Sequence, residues 1–460
     1  MNVALIGLGS MGYNLAKNIV SKNYQVNAYE KNKLVFETIK KDRIKSLCLF
    51  NSIKELINNT PSPRMVMLSL PADKIDECIN ELINHLNSKD IVADLGNSLY
   101  LRSIEREKLL KQYKISFLGI GVSGGPRGAK KGPAIMAGGS KSAWENVKYI
   151  FEDIAAKNGN ESACCYFGSA ASGHFVKLVH NGIEYALMQS LAEISNILEY
   201  AYGMNHNARA EKLKEVLRTQ TSSFLLKITT EISNAKNNDN KYFIDLVENK
   251  IEQNGTGIWT INAALELGVS IPSIYEAVST RSISHNFSYN SNSNIKNDNL
   301  LIENLSNKKL ALEEIIFFNF ACSLYQGLNL IDQSNNWDYF DYNIKDVFRA
   351  WSAGCILQGD YLDSISNKYK TSKKLDFEFL HNVIEEKCSH KMHSIREFNS
   401  NATKLGLPCP VLSANLSYYD LIFSNHKIGE TIQLQRSFFG LHPIKDKKNK
   451  KKINPYWTKL

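Results

Sequence analysis

Val3-Ala4-Leu5-Ile6 is a short apolar run followed at once by Gly7-Leu8-Gly9-Ser10-Met11-Gly12 and then by a helical pattern over 13–20. A strand, a glycine turn and a helix in that order constrain the fold more than any other feature of the chain. Glycines allow the tight turn and let a pyrophosphate approach the backbone at the helix N-terminus. Gly7, Gly9, Ser10, Met11 and Gly12 are therefore candidate dinucleotide contacts. A second apolar run, 25–29, ends at Glu30 with Lys31 behind it, about 20 positions on, where a ribose contact is expected.

Further strands read at 65–70, Ile91–Asp94 and 116–120, alternating with helical segments at Lys33–Lys41, 74–86 and 101–113. That alternation predicts a parallel, doubly wound sheet with helices on both faces. Ligands of such sheets sit beyond the carboxyl ends of the strands, which adds Leu70 and Asn97 to the cofactor contacts. Two strand ends run into small, glycine-rich segments, Asp94-Leu95-Gly96-Asn97-Ser98 and Gly121-Val122-Ser123-Gly124-Gly125, suited to offering amides and hydroxyls. From about Ser172 onward strand signals become scarce. Long amphipathic stretches take over at 172–202, 210–220, 308–330 and 375–405. The expected fold is an α/β Rossmann-type sheet over residues 1–171, a large all-helical domain over 172–425 and a C-terminal tail over 426–460.

The segment 173–189, GHFVKLVHNGIEYALMQ, stands at the junction. Lys177 and Glu184 are seven residues apart, close to two helical turns, so they share a face with His180 and Asn181. Leu178, Val179, Ile183, Ala186 and Leu187 leave little of this helix for water. A buried base and acid on one stripe must be satisfied or used. An interhelical salt bridge is the alternative to catalysis, and clefts at domain junctions favour the latter.

In this order along the chain, GLGSMGYNL, DLGNS, GVSGG, GPAIMAGG, GHFVKLVHNGIEY, GTGIWT, EAVSTR and QLQRSFFGLH resemble the motifs of the decarboxylating 6-phosphogluconate dehydrogenases. The resemblance implies oxidation of 6-phosphogluconate at C3, loss of carbon dioxide and release of ribulose 5-phosphate, with no metal. Lys177 would take the 3-hydroxyl proton, and Glu184 would protonate C1 of the enediol, with His180 and Asn181 beside them. Substrate contacts carried over by the motifs are Asn97, Ser123, Gly124, Gly125, Tyr185, Thr256, Arg281, Arg436 and His442. Forked guanidinium donors suit a phosphate dianion. In the family the last two come from a partner subunit's tail, which implies a homodimer with a shared site.

Three positions depart from the pattern. Asn254 stands where a lysine precedes the GTG motif, Pro126-Arg127 replace an acidic pair, and the segment usually Trp-Arg-Gly-Gly reads Trp351-Ser352-Ala353-Gly354. Loss of one charge-assisted hydrogen bond to phosphate costs about 1.5–3 kcal/mol. Two other readings follow: a relative acting on another 3-hydroxy acid, or a weakened ligand-binding scaffold. Family members mostly use NADP and carry an Asn-Arg pair where this chain has Glu30-Lys31. A carboxylate accepts from a ribose 2′-hydroxyl and repels a 2′-phosphate, so Glu30 favours NAD or dual use over NADP alone.

Composition excludes several classes. With 43% hydrophobic residues in 460, large cores can form. No charged-then-apolar leader and no apolar run of 18 residues predict neither secretion nor a membrane span. Eight cysteines without CxxC or metal-ligand spacing read as reduced thiols of a cytoplasmic protein. The net charge of +9 owes six charges to the end of the chain, where seven lysines face Asp446 alone over 445–460. No nucleic-acid reader motif accompanies that tail, so nucleic acid is not an expected partner. The Asn/Ser-rich stretch 285–299 reads as an exposed insertion.

Overall fold

In the computed structural model, residues 1–286, 305, 310–337, 340, 342–372, 374–426, 428–455 and 457 are described. Most of the Asn/Ser-rich stretch lies outside them. The chain divides into two compact units, Met1–Asn415 and Leu416–Leu460.

The first unit opens with eight strands in one sheet: β1 (Asn2–Ile6), β2 (Val26–Tyr29), β3 (Leu47–Phe50), β4 (Arg64–Leu68), β5 (Ile91–Asp94), β6 (Ser116–Ser123), β7 (Ala134–Gly139) and β8 (Cys164–Tyr166). Their spatial order is β8-β7-β6-β5-β4-β1-β2-β3. The chain thus leaves β1 in one direction for β2 and β3 and in the other for β4 to β6, which puts the switch point beside β1. β1 pairs in parallel with both neighbours, Val3 with Val26 and Met65. Val3, Leu5, Val26, Ala28, Met65 and Met67 are all buried, as expected of strands covered on both faces.

Helices α1 (Ser10–Ser21), α2 (Lys33–Lys41), α3 (Ile53–Asn58), α4 (Ile75–Leu82), α5 (Tyr100–Gln112), α6 (Gly125–Lys131) and α7 (Lys141–Ile154) accompany the strands. Side-chain caps mark several starts: Asn32 accepts from the amides of Leu34 and Val35, and Ser52 from that of Glu55. The sheet departs from the all-parallel expectation at one place. β7 runs antiparallel to β6, with Gly121 opposite Met136. Residues 124–133 between them are fewer than the dozen or so that a parallel crossover needs, so the chain turns back beside the strand it has just left. The short strands β3 and β8, at its two edges, were not expected either.

After the sheet comes α8 (Ala170–Tyr200), a helix of 31 residues, followed by α9 (His206–Val216), α10 (Phe224–Ser233), α11 (Thr256–Leu267), α12 (Pro272–Asn286) and α13 (Leu312–Gln333). The stretch expected at 375–405 is two helices, Phe377–Cys388 and Met392–Lys404. α8 is seated on β6 and β7 by missing side chains. A Cβ on Gly173 would lie 2.3 Å from the Gly119 carbonyl oxygen, and one on Gly121 would lie 2.3 Å from Lys177 Cβ. Farther along, Gly182 takes Thr260 of α11 against it, and Gly327 of α13 takes Ile183. Over this stretch α8 is therefore held close between the sheet and the other helices.

The second unit holds a helix, Gly429–Gly440, and a two-stranded hairpin, Ile444–Lys445 with Lys452–Ile453. It leaves large apolar side chains in the open: Phe439 is 94% exposed and Leu441 77%. No helix among the described residues is long and apolar enough to cross a membrane.

Candidate active site

Two adjoining cavities open along the carboxyl ends of the strands. The first, about 290 Å³, is lined by Gly9, Ser10, Met11 and Gly12 on one side and by Ser69, Leu70, Gly96 and Asn97 on the other. Gly7 has φ +92°, and a Cβ on Gly12 would lie 2.0 Å from the Gly7 carbonyl oxygen, so this turn accepts only glycine at both places. A Cβ on Gly9 would meet nothing within 4 Å, which leaves the α1 N-terminus open to the groove. No side chain caps that terminus. Free amides and a positive helix end facing an open trough fit a dinucleotide pyrophosphate.

A third, smaller cavity of about 160 Å³ lies farther along and is lined by Gly7, Glu30, Lys31, Leu70, Lys74, Glu77 and Glu81, among others. The Glu30 carboxylate is not turned to water. It accepts from the Leu8 amide at 2.6 Å and from the Asn32 amide at 2.8 Å. Lys31 reaches Glu77 at 3.8 Å, and both side chains are well exposed.

The second large cavity, about 370 Å³, is lined by Ser123, Gly124, Gly125, Lys177, Asn181, Glu184, Tyr185 and Asn254, with Phe224 and Ile356. Met11, Asn97 and Val122 line both it and the first. Those three residues mark where a bound dinucleotide would hand over to a bound substrate.

The stripe expected on α8 is present: Lys177, Asn181 and Glu184 line this cavity, and His180 is fully buried beside them. Lys177 Nζ donates to Asn181 Oδ1 at 2.6 Å and to Ser123 Oγ at 3.3 Å, and lies 3.4 Å from His180 Nδ1. His180 Nε2 sits 3.3 Å from Ser123 Oγ, and its Nδ1 lies 3.8 Å from Glu184 Oε2. With the proton on Nε2, the imidazole donates to Ser123 and accepts from Lys177. The Trp351 ring stands edge-on to it at 5.7 Å.

Burial sets the protonation states. Desolvation pushes the Lys177 ammonium below its ordinary 10.5, although Glu184 opposes this. Desolvation raises Glu184 above 4.5 against the pull of Lys177 and Arg281. His180 falls well below 6.5, from burial first and from Lys177 second, so it is neutral. Glu184 keeps 24% of its side chain accessible. Each of the acid and the base is thereby moved towards its uncharged form.

The family models match the chain in two pieces: "NAD binding domain of 6-phosphogluconate dehydrogenase" over residues 2–168 and "6-phosphogluconate dehydrogenase, C-terminal domain" over 173–457. This chain belongs to the decarboxylating 6-phosphogluconate dehydrogenase family. An NADP(+)-dependent, decarboxylating 6-phosphogluconate dehydrogenase of Bacillus subtilis is 34% identical over 96% of this chain and 95% of its own. A decarboxylating relative from Staphylococcus epidermidis is 32% identical over 99% of both chains. The solved Plasmodium falciparum 6-phosphogluconate dehydrogenase, studied apo, with NADP+ and with 6-phosphogluconate, covers 99% of this chain at 31% identity and a TM-score of 0.87.

Against the family pattern, the remaining expected residues fall as follows. Thr256 is buried beside the cavity, and its hydroxyl donates to Asn254 Oδ1 at 2.8 Å. Tyr185 OH donates to the same oxygen at 3.1 Å. The position that usually supplies a cation thus holds a neutral amide fixed by two hydroxyls. Arg281 lies over the Tyr185 ring at 3.9 Å and donates to the Ala277 carbonyl. Its Nε is buried with no hydrogen-bond partner among the described residues. Arg127 is exposed on α6 and does not line the cavity. The Gly354 carbonyl oxygen would lie 2.5 Å from a Cβ on Gly124, so the two backbones pack directly against each other. Arg436 and His442 belong to the second unit, where both are exposed and Arg436 donates to Gln433 at 3.2 Å.

Phe224 and Ile356 line the cavity and carried no sequence signal as site residues. Phe224 begins α10 and Ile356 follows Cys355, so apolar side chains from distant segments reach the site only through the packing. Among the described residues no group of three or more His, Cys, Asp or Glu side chains is placed to hold a metal ion.

Proposed function

We propose that this protein catalyses the oxidative decarboxylation of 6-phosphogluconate to ribulose 5-phosphate and carbon dioxide. The observation that carries the reading is the Lys177–Glu184 pair, desolvated on one face of α8 in a cavity that meets the dinucleotide groove at Asn97.

The glycine turn, Leu70 and Asn97 would hold the dinucleotide, whose nicotinamide would accept the hydride that leaves C3. Lys177, as the neutral amine favoured by burial, accepts the 3-hydroxyl proton. Ser123, Asn181 and His180 surround its Nζ and fix its direction. The resulting ammonium then faces the 3-keto oxygen and stabilises the negative charge that develops there as the carboxylate leaves. Glu184, whose affinity for a proton is raised by burial, delivers a proton to C1 of the enediol. Arg281 and Thr256 bind the substrate's far end, with Arg436 and His442 supplied by a second copy of the chain.

Glu30 supports use of NAD or of both dinucleotides, because its carboxylate, held by the Leu8 and Asn32 amides, follows β2 where a ribose contact is expected, and its negative charge disfavours a 2′-phosphate there. The exposed Phe439 and Leu441 support a homodimer closed by the C-terminal segment. Eight free thiols, seven of them buried, support a cytoplasmic location. Residues 1–171, 172–425 and 426–460 then divide the work into dinucleotide binding, substrate binding and dimer contact. One assay tests the reading: 6-phosphogluconate with NAD and with NADP in parallel, following reduced nicotinamide and evolved carbon dioxide. Absence of both signals with both cofactors would overturn it. Asn254 favours one competing reading, a 3-hydroxy acid without phosphate, and turnover of gluconate above that of 6-phosphogluconate would establish it.

A further inference from the structure

The geometry points to Arg106 as a positioning residue for Asn97, an inference that rests on the reaction proposed above. Asn97 lies in the turn 94–98 and lines both the dinucleotide groove and the substrate cavity. It is also the exposed member of that turn, while Asp94, Gly96 and Ser98 are buried. What holds it in place is an ionic knot beneath it.

Arg106 reaches up from α5 with its side chain 4% exposed. Its Nη1 donates to Asp94 Oδ2 and to Ser98 Oγ, each at 2.8 Å. Ser98 Oγ donates to the same Asp94 oxygen at 2.7 Å, and the Gly96 amide donates to Asp94 Oδ1 at 2.9 Å. Both ends of the turn therefore close on one carboxylate that is fully buried, with Arg106 as its counter-charge. Arg106 Nε also donates to Asp76 Oδ1 of α4 at 2.6 Å, and that carboxylate is 48% exposed. A Cβ on Gly96 would lie 3.0 Å from the Leu70 carbonyl oxygen, so the turn has little room to shift.

Removing Arg106 leaves a buried carboxylate without its cation. The turn that carries Asn97 then loosens as the lost cation is replaced by water. Because Asn97 serves both cavities, dinucleotide and substrate binding should weaken together, which a cofactor residue or a substrate residue alone would not produce.

Four variants test this: Arg106→Gln, Arg106→Lys, Ser98→Ala and Asp76→Asn. The readouts are the dissociation constants of NAD and NADP by fluorescence titration, KM and kcat with 6-phosphogluconate, and thermal melting. Ser98→Ala and Arg106→Gln should raise the dinucleotide Kd and the substrate KM together, lowering kcat/KM on the order of ten- to a hundredfold. Arg106→Lys should restore part of the loss, and Asp76→Asn, which cuts only the exposed arm, should stay within about twofold of wild type. If Arg106→Gln fails to fold, Ser98→Ala decides. Wild-type Kd and KM in a folded Ser98→Ala or Arg106→Gln protein would overturn the inference, whatever its melting temperature. A wild-type protein that binds dinucleotide but does not turn over 6-phosphogluconate would overturn the reaction instead, and the dinucleotide Kd would still judge Arg106.

Discussion

The stripe on α8 and the pocket around Glu30 both gather acids and bases, yet they are built on opposite plans. Lys177 is 8% exposed and His180 not at all, and each is moved from its ordinary pKa chiefly by lost hydration. Around Glu30, whose own carboxylate is tied to two amides, the neighbouring charges stand in water: the Lys31 side chain is 84% exposed and its partner Glu77 66%. Exposed pairs of this kind are screened and contribute little each. Proton transfer needs the first arrangement, because only desolvation brings an amine and a carboxyl towards neutrality. Cofactor choice can rest on the second, where a few weak contributions add. The catalytic stripe should therefore be intolerant of change and the cofactor pocket easily retuned.

Lys177→Met should lower kcat by about 10²- to 10⁴-fold, measured as reduced dinucleotide formed from 6-phosphogluconate. Turnover within threefold of wild type would break the contrast at its strongest point. Glu184→Gln should cost activity on a similar scale while stabilising the fold. The sign follows from the raised pKa. Between 4.5 and its folded-state value Glu184 keeps a proton that the unfolded chain has released, so wild-type stability falls as pH rises through that window. The variant should melt with wild type at pH 4.5 and above it at neutral pH. Equal melting temperatures at both would show that the carboxyl is not desolvated.

For Lys177 the kinetic sign is opposite. Activity is lost as pH falls through its lowered pKa, since the base takes on its proton. An acid limb of kcat/KM lying at or above the ordinary 10.5 would show that Lys177 is not desolvated in the working enzyme.

Asn254→Lys should lower KM for 6-phosphogluconate about tenfold by returning a cation to the phosphate end, and leave KM for gluconate unchanged. An equal change for both substrates would mean that Asn254 does not face the phosphate. The smallest effects belong to the exposed pocket. Glu30→Gln should shift the ratio of kcat/KM values towards NADP about threefold, and Glu77→Gln, which frees Lys31, about twofold. A shift of a hundredfold from either would show that this pocket is far less screened than its exposure implies.

Much of this was legible in the chain. The glycine turn, the strands Ile91–Asp94 and Val26–Tyr29, the helix Lys33–Lys41 and the sharing of one face by Lys177, His180, Asn181 and Glu184 follow from spacing and local steric rules. The antiparallel β7 was not legible, because an apolar strand reads the same whichever way its neighbour runs. Nor were the edge strands β3 and β8, at four and three residues each. Phe224, Ile356 and Arg106 gave no signal either. An apolar residue in a cavity and one in a core look alike in sequence, and an arginine on an amphipathic helix reads as surface until a buried aspartate is found beneath it.

The sequence by itself determined the alternation of five of the strands with helices, the glycines that admit a dinucleotide, and the stripe of four polar residues on one helix. Those depend on steric and periodic rules that act within a few residues of one another. Only the tertiary structure decided that the stripe is desolvated, that it faces a cavity joined to the groove at Asn97, and that Arg106 lies locked under that residue. Burial and the shifts in pKa that follow from it are produced by atoms brought in from β6, α5 and α11, far away along the chain, and no local pattern encodes them.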